Sequence, residues 1–113
     1  MDTNPRLTIA YARTTRSEIN QIWDYNEKKY GRQHAAAYIE FLQDGIDALA
    51  TTYADDRAVE GFPHLQGITL KRSPRAHGHV VIYRVDQAAQ LIRILHVYHT
   101  RQDIQGRLKR EGQ

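Results

Sequence analysis

Ala35, Tyr38, Ile39, Leu42, Ile46, Leu49 and Tyr53 fall at offsets of 0, 3, 4, 7, 11, 14 and 18, drawing one unbroken apolar stripe along a helix. A second helical pattern precedes it. Thr15-Arg-Ser-Glu18 has the form of a capping box, and Ile19, Ile22, Trp23 and Tyr30 follow at helical spacing. Gly31 is a suitable left-handed stop. With so short a link, the helices must double back as an antiparallel hairpin whose apolar faces need a third surface to cover them.

The rest of the chain supplies that surface as strands. Leu7-Thr-Ile-Ala-Tyr11 alternates over a short stretch and fits an opening strand that pairs with a later one. From Ala54 to Gly67 periodicity is lost among Asp55, Asp56, Gly61, Pro63 and Gly67, which reads as loop, and Ile68–Arg72 resumes as a strand. Ser73–Gly78 is a turn. His79–Val85 and Leu91–His99 are joined by Asp86–Gln90, a length suited to an antiparallel hairpin. Arg101–Arg110 is expected to form a short terminal helix, weakened by Gly106. The order β-α-α-β-β-β defines an α+β domain with the helical hairpin on one face of an antiparallel-rich sheet. At 113 residues the chain has the length of one domain, taken as 1–113, with 1–6 and 111–113 expected to be flexible.

Charge is unevenly placed. Sixteen Lys plus Arg against thirteen Asp plus Glu give a formal +3. Acidic residues concentrate between Glu18 and Glu60, whereas the segment from Lys71 to Arg110 carries nine basic residues against Asp86 and Asp103 alone. That half favours a polyanion or an acidic protein partner. The absence of cysteine excludes disulfides, thiolate chemistry and Cys-ligated zinc. Met1–Arg6 has no apolar signal-peptide core, and no run approaches the roughly 20 apolar residues of a membrane span, so a cytoplasmic location is expected.

Arg84, Arg93, His96 and His99 interrupt β-branched runs where a structural sheet would carry apolar or neutral residues, marking a working surface on the sheet face away from the helices. By alternation Arg93 and His99 share a face with Leu95 and Val97, while His96 and Tyr98 share the other with Ile92 and Ile94. Both histidines line one site only if a bulge interrupts the strand. His77-Gly-His79 aims two imidazoles the same way but lacks further ligands nearby, so no metal site is assigned, and no cofactor motif is present. Bland readings stand beside these. Trp23 suits a core, Tyr83 and Tyr98 suit packing, His99 suits a strand-end carbonyl, and Arg101 with Asp103 suits a surface pair. Lys71, Arg72 and Arg75 suit a protected sheet edge.

Three blocks, Ile22-Trp-Asp-Tyr25 with Tyr30-Gly31, His79-Val-Val-Ile-Tyr-Arg-Val85, and Ile94-Leu-His-Val-Tyr-His-Thr-Arg-Gln-Asp103, resemble the ParE/RelE superfamily of toxins from bacterial type II toxin–antitoxin modules, closest to its ParE branch. The superfamily pattern of a strand ending in His, a small residue, Arg and Asp falls on His99, Thr100, Arg101 and Asp103. The resemblance covers about Leu7 to Ile104. It implies the β-α-α-β-β-β fold, a cognate antitoxin in a hetero-oligomer, growth arrest, and contact with DNA only through the antitoxin. It also implies a target: ParE-like members poison DNA gyrase, and RelE-like members cleave messenger RNA on the ribosome.

The expected reading is a non-enzymatic gyrase inhibitor, with Trp23, Tyr25, Arg84, His99 and Arg101 meeting the target. Lys71, Arg72, Arg75, Tyr38 and Leu42 are expected to meet the antitoxin, by strand addition along the Lys71–Arg75 edge and packing on the hairpin. The alternative is a ribosome-dependent endoribonuclease using Arg84 and His99 with Arg72 or Arg93, since 2′-hydroxyl attack needs a proton acceptor, a proton donor and a cation. A second alternative is a chain without toxicity that acts as antitoxin-binding partner in operon autoregulation.

Overall fold

The computed structural model describes residues 5–55 and 58–112. Its elements in chain order are β1 (Thr8–Tyr11), α1 (Arg13–Tyr30), α2 (Arg32–Thr52), a 3-10 turn (Tyr53–Asp55), β2 (Ala58–Val59), β3 (Phe62–Leu70), β4 (His79–Asp86), β5 (Leu91–His99) and α3 (Ile104–Arg110). The loop role of Asp56, and the expected flexibility at 1–4 and 113, lie outside the described residues. No helix among the described residues is long and apolar enough to cross a membrane.

The stripe on α2 is buried as its spacing dictates: Ala35, Leu42, Ile46 and Leu49 have no exposed surface. Gly31, at a φ of 96°, separates the two helices and lets them return antiparallel. The surface they cover is a five-stranded sheet in the order β1-β5-β4-β3-β2, with β1 parallel to β5 and the other pairs antiparallel. On the helix side, Ile46, Leu49 and Tyr53 pack against Val81, Tyr83, Ile92, Ile94 and Val97.

The sheet face away from the hairpin is not the open cationic surface expected. Phe62, Leu65, Ile82, Tyr98 and Leu108 form a second core there, with Val59, Val80, Leu95 and Ile104 around it. Leu108 and Ile104 come from α3, so the terminal helix closes this face. Alternating strands gave both faces enough apolar residues to need cover.

Strand β5 contains a bulge, but it precedes both histidines and leaves His96 and His99 on opposite faces. Ile82 pairs with His96 and Tyr83 with Ile94, leaving Leu95 as the extra residue. The extra residue inverts the alternation, so Ile92 and Ile94 share the helix-side core with Val97 while His96 and Tyr98 turn to the other face. The expected grouping of Ile92 and Ile94 with His96 and Tyr98, and of Arg93 with His99, is therefore corrected.

The capping box is corrected too. The residue capping α1 is Ala12, which makes no side-chain cap. Strand β1 reaches only as far as Ile94, leaving the edge of β5 beyond it without a backbone partner. Thr14 Oγ1 donates to the Leu95 carbonyl at 3.2 Å and Thr15 Oγ1 to the Ile94 carbonyl at 2.8 Å. Glu18 Oε1 accepts the Val97 N–H at 2.8 Å, and its Oε2 lies 2.9 Å from His96 Nδ1. The first turns of α1 thus complete the strand edge instead of capping themselves.

A cationic groove at the end of the sheet

The sheet's lower strands and the hairpin tip diverge where β4 begins and β5 ends, opening a groove of about 890 Å³. Tyr25, Lys29 and Tyr30 of α1 and His34 and Tyr38 of α2 form one wall. Arg72, Arg75 and His77, from the loop between β3 and β4, form the other with Arg101 and Arg107, and His79, Tyr98 and His99 lie between. Lys29, Arg72, Arg75, Arg101 and Arg107 face a single lining carboxylate, Glu18, which is committed to His96 and Val97.

The loop that carries Arg72 and Arg75 is drawn in at Gly78. A Cβ there would stand 2.2 Å from the Leu70 carbonyl oxygen, so only glycine admits this approach. Its carbonyl accepts the Thr100 N–H at 3.1 Å, tying the loop to the end of β5. This places His77, His79 and His99 side by side, with ring centroids 5.9 Å apart for His77 and His99 and 5.3 Å for His79 and His99.

Each imidazole is spoken for. His99 Nδ1 accepts the Arg101 backbone N–H at 3.1 Å, so in the neutral ring the proton sits on Nε2. His77 Nε2 lies 2.7 Å from the Arg101 guanidinium, a group that only donates, and must therefore be the acceptor. His79 Nδ1 pairs with the Tyr38 hydroxyl at 2.5 Å. Burial pushes His79 down to about 4, with His99 adding to the effect, and burial, then His77 and Arg101, also lowers His99. At neutral pH His79 and His99 are uncharged, and the positive potential of the groove comes from its arginines and lysine. Tyr98 is pushed up to about 12 by burial, then by Glu18 and Glu111, against the opposing effect of Arg107. Its hydroxyl is buried beside Arg107, whose guanidinium lies 5.2 Å from the ring centre.

Of the residues singled out from the sequence, Tyr25, Tyr38, Arg72, Arg75, His99 and Arg101 meet in this groove. Arg84 and Arg93 do not. They pair with each other across β4 and β5, five ladder positions from the His79–His99 pair, roughly 17 Å at the usual strand rise. A nuclease site joining them to His99 is not assembled. Leu42 is wholly inside the core, and Trp23 is half-buried and outside the groove lining. Lys71, Arg72 and Arg75 follow the end of β3 in a loop and offer no strand edge. Asp103 caps α3 by accepting the Gly106 N–H at 3.1 Å, while Arg101 turns to His77.

Sequence reasoning missed Lys29, Tyr30, His34, His77, His79 and Arg107 as parts of one site. The alternation in His77-Gly-His79 was a usable signal, but the third imidazole arrives from a strand 20 residues later. Among the described residues no group of three or more His, Cys, Asp or Glu side chains is arranged to hold a metal ion.

Residues 9–104 match the family model of the ParE toxin of the type II toxin–antitoxin system, parDE. Toxin ParE1 of Caulobacter vibrioides is 31% identical over 85 residues, spanning 75% of this chain and 83% of that protein. Among solved structures, a chain of the chromosomal ParDE system from P. aeruginosa superposes with a TM-score of 0.69 at 17% identity, covering 83% of this chain and 96% of that one. A chain of the RelBE2 toxin–antitoxin complex from Mycobacterium tuberculosis gives 0.55 at 16% identity, with coverages of 90% and 100%. The two structures share the fold of this chain, and the sequence matches go further: the chain belongs to the ParE toxin family of type II toxin–antitoxin systems.

Proposed function

We propose that this ParE-family toxin acts by binding, inhibits DNA gyrase, and is neutralised by a cognate antitoxin that covers the cationic groove. Family membership supports the target class. The observation that carries the binding mode is the state of the imidazoles. Cleavage of RNA by its own 2′-hydroxyl needs a basic lone pair facing the substrate. His99 and His77 each spend one lone pair on Arg101, and His79 is held far below neutral pH beside Tyr38. The groove grips anions well and removes protons poorly.

The residues expected to meet the target and those expected to meet the antitoxin overlap here, with Tyr25, His99 and Arg101 from the first set and Tyr38, Arg72 and Arg75 from the second. One surface serving both makes neutralisation a matter of occlusion. In a supercoiling assay with purified gyrase, antitoxin-free protein is expected to inhibit, and Arg101→Ala to inhibit at least about tenfold less strongly. Unimpaired supercoiling at saturating protein excludes the gyrase reading. The ribonuclease reading keeps one observation, the convergence of His99, Arg72 and Arg101. Cut messenger RNA after induction, abolished by His99→Ala, would establish it instead.

A further inference from the structure

We infer that the groove also binds a single strand of nucleic acid directly, and holds it without cutting it. This goes beyond inhibition of gyrase and does not depend on it. Two features of the lining are independent of each other and agree. The first is charge: five cationic side chains and one internally bonded carboxylate produce a lining of one sign, the condition for following a phosphodiester backbone.

The second is aromatic. Tyr25 and Tyr30 are the two large hydrophobic side chains left mostly exposed among the described residues, at 57% and 55%, and both stand on the groove wall. Lys29 lies between them, 5.4 Å from the ring centre of Tyr25 and 5.5 Å from that of Tyr30. His34 extends the row, its ring centroid 4.5 Å from that of Tyr30. Exposed rings alternating with cations, opposite a wall of arginines, are what stacked bases with an outward phosphate chain require. An acidic peptide would use the arginines and have no need of flat open rings, so nucleic acid is the better match. A duplex is the poorer match, because the groove opens between a helix tip and a hairpin loop and presents no helix or ribbon to enter a base-pair groove.

The His99 ring completes the inference. It adds hydrogen-bonding capacity toward phosphate through Nε2–H, while its Nδ1 lone pair is held by the Arg101 N–H and is not free to act as the base that cleavage needs.

The test is fluorescence anisotropy of the full antitoxin-free chain with labelled 12-nucleotide oligo-dT and oligo-U, an acidic peptide of equal charge, and a duplex of the same length. Binding of a single strand is expected at low salt. Its log–log salt dependence should have a slope of about −2 to −3.5, corresponding to three to five neutralised phosphates. Tyr25→Ala and Tyr30→Ala, both at exposed positions, are each expected to weaken binding about fivefold or more, and the Arg72→Glu, Arg75→Glu double variant more steeply. Arg13→Glu, at the far end of α1, should leave it unchanged. Recovered oligo-U should run intact on a denaturing gel. The dT and U arms decide between DNA and RNA as the preferred strand. No binding at low salt, equal binding of the peptide, tyrosine variants that bind like the parent chain, or a cut strand would each overturn the inference. None of these outcomes touches the gyrase assay, so the two proposals fail separately.

Discussion

At the scale of single residues, Glu18 shows how far a side chain can depart from its local pattern. Its spacing from Thr15 matches a capping box, yet both residues serve a strand about 80 positions away because that edge has no other partner. No local signal distinguishes the two uses: Glu18 accepts a backbone N–H in either, and the Thr15 hydroxyl, which would accept in a capping box, donates here to the Ile94 carbonyl. Glu18→Ala strands the Val97 N–H and the nearly buried His96 at once. Denaturant unfolding is expected to show a loss of about 2–4 kcal/mol, with a clearly smaller loss for Glu18→Gln, whose amide oxygen still accepts. Equal losses would mean that the carboxylate fills space and does not complete the edge.

His79 makes a second residue-scale prediction. Its folded value of about 4 lies below its ordinary 6.5, so between these the unfolded chain binds a proton that the folded chain refuses. Stability from this source is complete above about pH 6.5 and is lost as pH falls toward 4, by up to about 1.4 kcal/mol per pH unit. The lowering of His99 acts in the same direction. Thermal melts at pH 5 and pH 7 should differ for the parent chain and converge in part for His79→Asn. An unchanged difference would place the pH dependence elsewhere.

At the scale of elements, the helical hairpin and the β4–β5 pair were legible because each rests on a repeat long enough to outvote local exceptions. The stripe from Ala35 to Tyr53 marked α2, which begins three residues earlier at Arg32 and ends at Thr52. Strand β3 was legible only in its last three residues, Ile68–Leu70. The six before them include Pro63 and Gly67, punctuation in most contexts, tolerated here because β2 is only two residues long and pairs there through an irregular register. Gly106 was read as a weakness of α3, but a Cβ at that position would stand 2.2 Å from the Asp103 carboxylate that caps the helix, so the glycine permits the cap. The bulge at Leu95 was not legible: alternation raised a bulge only as a means of joining His96 to His99, and this one precedes both. Deleting Leu95 would restore strict alternation and put either Ile92 and Ile94 or Val97 on the wrong face. The deletion variant is expected to lose its cooperative unfolding transition, whereas Leu95→Ala, which keeps the count, should melt cooperatively within about 3 kcal/mol of the parent.

At the scale of the whole molecule, the groove was not legible because it belongs to no element. Its residues come from the end of α1, the start of α2, the loop after β3, the two ends of a strand pair and α3. Only the pairing of β4 with β5 and the return of the hairpin bring them together. The sequence pointed instead to the basic residues inside the strands, and the fold separates those into two groups: Arg84 and Arg93 at one end of the sheet, His79 and His99 at the other. This separation permits a clean experiment on the antitoxin. If occlusion of the groove is the means of neutralisation, Arg72→Glu with Arg75→Glu should weaken the toxin–antitoxin complex on the order of a hundredfold, from two reversed charges worth about 1–2 kcal/mol each at a protein interface. Arg84→Glu should leave affinity within about threefold. Isothermal titration with the cognate antitoxin measures both. Equal losses would show that the antitoxin spans the sheet end to end, and a loss confined to Arg84 would move the neutralising contact to the opposite end of the molecule.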